Sequence, residues 1–485
     1  MLTASVEKID KETVAYKTAS ALWQDGYPFI LPELLNFLSH AHASASPDSW
    51  TGLPPEMKSI VGRVLTDRFW QAGISEGSKD EFYARVLDKK HTMEGLGSTI
   101  RGSIRFVRES VYAILYCMSR LDMEFYGFKE LPGPLANALM ANSYSLSPHQ
   151  QINLLNLVRY LVDSCPTNLR DHFLPPLMAA SFQQMDAKIT SEWEKLETQK
   201  GVQAGEAALA EEMKSESILR QLTYTAVMMV ADFLDPARMT DLPVTNPEDS
   251  ARRYPTLRKF CLMSSEIVEP LLVFCTHVIR VRDTRCCSIM LRVFRSIIPD
   301  FRAVQDMEIT SESHGTGNMD NSPIPAATAS LIREYISSDV LRACVQSMNE
   351  HYFVELQKEI ATFIGAIIAN YCPLTNTPKS ILQSIPNLRQ EDIDEAIEKI
   401  CSTQNSKLQR NSVLQLFSEL KGVSISELGR LGTSIGPLSS SRKSHGKKAS
   451  RSQMAQEFMT PAVTRGTNGQ TEEGLEGVAG LFGQQ

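Results

Sequence analysis

The sequence predicts an all-α protein built of helical hairpins. Apolar residues recur at steps of three and four through most of the chain. No segment reads as a set of alternating strands, and no G-x-G-x-x-G follows a strand-like run. The 485 residues, with 42 % hydrophobic and 22 % charged side chains, supply a large core and exclude wholesale disorder or a collagen-like chain.

The segment 147–163, SPHQQINLLNLVRYLVD, is the clearest helix. Ser147 caps it, Pro148 fits its first position, and Gln150 completes a capping box. Leu154, Leu157, Val158, Leu161 and Val162 share one face. After Ser164-Cys165-Pro166 a second helix is predicted from near Pro175-Pro176. Its apolar residues Leu174, Met178, Phe182, Met185, Ile189, Trp193 and Leu196 follow steps of four and three. Two such helices around a tight turn make an antiparallel hairpin. Ile100, Ile104, Val107, Val111, Ile114, Met118 and Leu121 line another helix. Leu219, Leu222, Ala226, Met229, Val230 and Phe233 line one more. Further helices are expected near 31–42, 55–72, 266–279, 284–298, 328–348, 350–370, 390–402 and 405–420.

Pairs of this size match HEAT or armadillo units. The expected fold is therefore an α-solenoid of HEAT-like hairpins over 1–432, with loops near 200–216, 236–255 and 310–327; an irregular all-helical globule is the alternative. The stretch 200–216 reads either as a charged insertion or as a helical extension. From 433 to 470 the Ser, Gly and basic residues predict a disordered tail. Its SSSRKSHGKKASRS run reads as a localisation signal, a weak nucleic-acid contact or a plain tail. Segment 471–485, TEEGLEGVAGLFGQQ, regains apolar character. Its Leu475, Val478, Leu481 and Phe482 either dock into an apolar groove of the same chain or belong to the tail.

Nine cysteines lack metal spacing, and no Asn-x-Ser/Thr site is present; both point to a reducing intracellular compartment. The N-terminus has no apolar core of a signal peptide. The long uncharged stretches 131–158 and 360–378 are broken by Asn, Ser or Pro, so neither is expected to span a membrane. No P-loop, G-x-S-x-G or H-E-x-x-H occurs. His40 and His42 point apart on a helix and read as surface or partly buried rather than as metal ligands. Cys286-Cys287 read as core. No catalytic residue, cofactor or metal is expected, and the chain does not read as an enzyme.

Basic stripes carry the functional signal. Arg101, Arg105 and Arg108 fall on one helix face, in a first half where the macrodipole disfavours positive charge. Arg285, Arg292 and Arg295 form a second stripe. Residues 252–302 hold ten Lys+Arg against four Asp+Glu, whereas 205–250 hold three against nine. The overall net charge of −7 argues against coating nucleic acid through bulk charge. The stripes fit either local salt bridges or contact with phosphates of a partner. These six arginines are the candidate anion- or cargo-contacting residues.

The stretch 125–197 resembles the C-terminal region of the exportin-5 and Hasty branch of the importin-β (karyopherin) superfamily. Cys165-Pro166, the Leu174-Pro175-Pro176-Leu177 helix start and Trp193 carry the likeness, together with the closing GLEGVAGLFGQQ. The resemblance implies a HEAT-repeat nuclear export receptor that wraps cargo with Ran-GTP and meets nucleoporins. Its cargo would be RNA with double-stranded stems, tRNA or phosphorylated protein, and its readout of RNA would follow shape and backbone. It implies a monomer shuttling between nucleus and cytoplasm, with no membrane partner. Members of the family are much longer, so this chain reads as a C-terminal fragment, an incomplete gene product or a shortened relative. On that reading Ran contact is reduced and the first helical pair shows an exposed apolar face. Two other function classes remain open: a HEAT-type scaffold unrelated to transport, and an enzyme whose site has no sequence signature.

Overall fold

The structure is a computed structural model that describes residues 12–58, 60–61, 93–199, 206–235, 257–301, 326–385 and 388–421. Every regular element among them is helical. The expected all-α fold of helical hairpins is what is seen. The elements are α1 (Val14–Ala43), α2 (Met93–Ser119), α3 (Met123–Tyr126), α4 (Pro132–Met140), α5 (Pro148–Ser164), α6 (Arg170–Gln199), α7 (Glu206–Leu234), α8 (Leu257–Met263), α9 (Ser265–Arg280) and α10 (Thr284–Ile297). They continue with α11 (Ala326–Tyr335), α12 (Leu341–Asn349), α13 (Gln357–Tyr371), α14 (Thr377–Gln383), α15 (Gln390–Cys401) and α16 (Ser406–Lys421). A π-helical turn, Ile336–Val340, joins α11 to α12.

The chain divides into two units. Among the described residues, the smaller holds those through Phe125 and Ala141–Gln150; the larger holds Tyr126–Met140 and those from Gln151 to Lys421. In the larger unit α6/α7, α9/α10, α12/α13 and α15/α16 are antiparallel hairpins. They stack in two layers: α6, α9 and α12 pack in succession on one side, and α7, α10, α13 and α16 on the other. Helix α10 lies inside this stack. Its Cys286, Cys287, Met290, Leu291, Val293, Phe294 and Ile297 are all buried, against α7, α9 and α13. Phe294 meets Phe363 of α13 with ring centroids 6.1 Å apart. Burying a side chain of that size contributes roughly 1.5–3 kcal/mol.

Two hairpins share a device at their turns. Gln357, at the start of α13, is buried and donates its side-chain amide to the Met348 carbonyl near the end of α12. Gln409 of α16 does the same to Ile400 of α15 and also reaches the Thr403 carbonyl at 2.7 Å. Each supplies a donor to a carbonyl that the helix end leaves unpaired. Gly365 of α13 faces Gln409, and a Cβ there would stand 3.3 Å from the Gln409 Cβ. The missing side chain is what lets α13 and α16 come this close.

The smaller unit packs α1 against α2. His42 is fully buried, not at the surface, and its Nε2 lies 2.6 Å from the Tyr112 hydroxyl. Ser20 donates to Glu124 at 2.9 Å. Helix α1 begins at Val14, well before the expected start at 31, and runs through Pro28 and Pro32. The carbonyls left without partners by those prolines belong to Gln24 and Pro28, both exposed residues, so water can take the place of the lost bonds.

Other boundaries also differ from the expectation. Helix α6 begins at Arg170, with Pro175 and Pro176 inside it rather than at its start. The expected loop near 200–216 is helical from Glu206 onward, because EAALAEEM is rich in Ala, Glu and Leu. Helices α4 and α14 were not expected. The capping box holds: Gln150 N–H donates to Ser147 Oγ at 3.4 Å and Ser147 N–H to Gln150 Oε1 at 3.3 Å. The expected helix over 62–72, the loop 236–255, most of the loop 310–327, the tail 433–470 and the segment 471–485 lie outside the described residues. Among the described residues no single helix is long and apolar enough to cross a membrane. Helices α8 and α9 pass that test only together, bent by 96°, and α9 buries Ile267, Leu271, Phe274 and Val278 in the helical stack.

Candidate anion-contact surface

Asp283 caps α10, accepting from the Cys286 N–H at 3.0 Å, and so sets where the helix starts and which face turns outward. That face carries Arg285, Arg292 and Arg295, all exposed. Two of the three lean onto α7. The Arg285 guanidinium carbon lies 3.7 Å from the centroid of the Tyr224 ring, a stacked cation–π contact. Arg292 Nε donates to Asp235 Oδ2 at 2.7 Å, and Asp235 is only 2 % exposed. A phosphate drawing Arg292 away would leave a buried carboxylate without this partner, which is costly. Arg295 stands in the last turn, where positive charge suits the macrodipole, and forms no ion pair with a described residue. Of this stripe, Arg295 and the outer face of Arg285 are the most available to an anion.

The surrounding basic residues are mostly engaged within the chain. Arg258 bridges Asp300 at 2.5 Å and the carbonyls of Leu234 and Ser296. Arg280 pairs with Glu350, and Arg282 with Glu197 at 2.9 Å. Arg159 of α5 pairs with Asp232 of α7 at 2.6 Å. Between the basic and acidic blocks themselves the ion pairs are Arg292–Asp235 and Arg220–Asp283.

The stripe on α2 is split by burial. Arg105 is exposed and Arg101 is half-buried, but Arg108 is 1 % exposed. Arg108 sits one turn before Tyr112. Burial pushes the Tyr112 hydroxyl well above its ordinary range, and the Arg108 charge works against that shift. Arg108 is therefore placed in the packing of the smaller unit, away from an external ligand.

A cluster missed by the sequence reading centres on Arg220 of α7. Its guanidinium donates to Glu216 at 2.6 Å and Asp283 at 3.1 Å, reaches the Tyr352 hydroxyl, and lies over the Trp193 ring at 5.3 Å. Burial works to lower its pKa, but the hydrogen bonds it donates to Tyr352 and Glu216, with the charge of Asp283, raise it overall. Only Glu216, one turn away, was visible as a partner. Asp283 and Tyr352 lie far along the chain. This cluster ties α6, α7, the α9/α10 turn and the turn before α13 together.

Burial pushes the Cys165 and Cys261 thiols up to about 12 and raises Cys286 and Cys287 further. Such thiols stay protonated near neutral pH. No group of His, Cys, Asp and Glu among the described residues is placed to hold a metal ion.

The stacked helical hairpins are those of a helical-repeat protein. The sequence model of the Exportin-5 family matches residues 13–430, and the chain belongs to that family. Its relatives include an uncharacterized protein of Schizosaccharomyces pombe, 26 % identical over 76 % of this chain and 29 % of the relative. Protein MSN5 of Saccharomyces cerevisiae is 24 % identical over 87 % of this chain and 33 % of its own length. Exportin-5 of Dictyostelium discoideum is 20 % identical over 82 % and 30 %. The chain thus spans about a third of the length of the curated relatives it matches. No solved structure matches it. The family is one of transport receptors rather than enzymes, and its repeat fold agrees with the hairpin stack described above.

Proposed function

We propose that this chain is part of a nuclear export receptor, in which the hairpin stack binds cargo together with Ran-GTP for transport from nucleus to cytoplasm. The match to the Exportin-5 family along 13–430 carries this reading. The cargo is anionic: RNA with double-stranded stems, tRNA or phosphorylated protein. Arg295 and Arg285 on α10 and Arg105 on α2 are its first contacts, with Arg101 and Arg292 contributing partial charge. The receptor meets nucleoporins on its way through the pore and works as a monomer in both compartments. Ran engagement shifts the balance between more open and more closed stacks.

The test is a titration of a hairpin RNA and a phosphopeptide into the protein, with and without GTP-loaded Ran, at low and moderate salt. Binding that strengthens with Ran and weakens with salt supports the receptor reading. Failure of both cargoes to bind the folded protein leaves the other reading, a repeat scaffold unrelated to transport. That alternative is favoured by one observation: Arg258, Arg280, Arg282 and Arg292 are all held in internal ion pairs.

A further inference from the structure

The first half of α2 is an amphipathic helix whose apolar face is only partly covered by described residues. Leu96, Ile100, Ile104 and Val107 follow steps of four, four and three and form one strip. Further along the same helix Val111, Leu115 and Met118 are buried, but here Leu96 is 44 % exposed and Ile100, Ile104 and Val107 are only half-buried. Arg101 and Arg105 each follow a strip isoleucine by one residue, so they run along one edge. Phe106, 58 % exposed, runs along the other. The result is an apolar strip with a basic border.

The chain that follows Lys421 ends in a segment of matching character. Within 466–485 the charged side chains are Glu472, Glu473 and Glu476, with no Lys or Arg, and the apolar ones include Leu475, Val478, Leu481 and Phe482. The intervening stretch is long enough to bring this segment to any surface of the unit that holds α2. We propose that segment 471–485 docks on the first half of α2, its apolar side chains covering Leu96 and Phe106 and its glutamates meeting Arg105 and Arg101. Apolar contact supplies the affinity, and the charged edge sets the orientation. The docked segment would shield Arg105 from any external anion, so the chain's own C-terminus would compete with an anionic ligand for that residue. This inference stands apart from the transport reading and needs neither Ran nor cargo.

Hydrogen exchange followed by mass spectrometry tests it, comparing the full chain with one ending at Gln470. The expected result is exchange at least tenfold faster over 93–107 in the shortened chain, with the α6–α16 helices unchanged. The tail variant Leu481→Ser/Phe482→Ser should behave like the shortened chain. A synthetic 471–485 peptide added to the shortened chain should restore the protection. Arg105→Glu should weaken that peptide at least threefold, and a peptide carrying Glu472→Lys and Glu476→Lys should regain the loss. Equal exchange over 93–107 in the full and shortened chains overturns the proposal. So does protection that grows with protein concentration, which would assign the strip to a second copy, or peptide protection that falls on other helices.

Discussion

Helix α10 and the first half of α2 are similar in sequence character and different in fate. Both are amphipathic, and both carry three arginines at helical spacing. In α10 the large apolar residues other than Ile289 are buried, and two of the arginines are engaged by Tyr224 of α7 and by Asp235 just beyond its end. In the first half of α2 the apolar strip stays partly open, while the third arginine, Arg108, is the one that is buried. An amphipathic pattern states that a helix has a face to cover. How far it is covered depends on the layers around it: α10 packs against three helices, whereas the start of α2 is only partly covered by described residues.

The sharpest way to break this comparison is to remove one phenylalanine from each helix. Phe294→Ala in α10 should cost about 3–5 kcal/mol in urea unfolding, from lost burial and the cavity left behind. Phe106→Ala in α2 should stay within about 0.5 kcal/mol. Equal losses would mean that the two helices are covered alike. Next in size, Gly365→Leu forces a side chain between α13 and α16 and should cost about 1–3 kcal/mol, read as a lower thermal midpoint. Arg292→Ala takes the partner from the buried Asp235 and should cost about 1–2 kcal/mol, whereas Arg295→Ala should be close to neutral in the same assay.

A smaller effect tests the coupling between layers through pH. His277 Nδ1 lies 2.7 Å from Asp186 Oδ1, joining α9 to α6. The hydrogen bond to Asp186 raises the His277 pKa against burial, and Arg280 opposes the rise. A raised pKa means that the folded state holds the proton more tightly. The stabilisation is therefore complete below the unfolded value of about 6.5. It fades as pH rises through the folded value. The pair is half-exposed, so the whole effect should be below about 1 kcal/mol. His277→Gln should thus be destabilising at pH 5.5 and indistinguishable from wild type at pH 8.5. A constant difference at both pH values would show that packing, not the charge, sets it.

Much of the fold was legible because helices announce themselves locally. The Ser147/Gln150 capping box, the three-and-four steps of α6 and the single face of α2 all depend on neighbours within four residues. Helix α4, PGPLANALM, was not expected, since two prolines and a glycine carry no helix signal; packing against α6 decides it. The first half of α1 was not expected either, and Pro28 and Pro32 interrupt its helical signal. The arginine stripe on α10 was visible as spacing, but its pairing was not. Asp235, which pairs with Arg292, lies 57 residues away in the chain, and the partners of the neighbouring Arg258, Arg280 and Arg282 are also dozens of residues away. The burial of Arg108 was equally hidden, since it depends on how α1 lies against α2.

The glutamine clasps at the α12/α13 and α15/α16 turns bear on mechanics. Gln357 and Gln409 each pin the carbonyl nine residues back, so these hairpins are closed from inside at the very point where a helical pair would otherwise splay. A hairpin sealed this way moves as one brick. Compliance is then pushed into the joints between bricks, where the contacts are apolar side-chain packing, ion pairs and stacked rings in place of helix-internal hydrogen bonds. Such a stack yields like a hinged strip under load: its curvature changes while each brick keeps its shape.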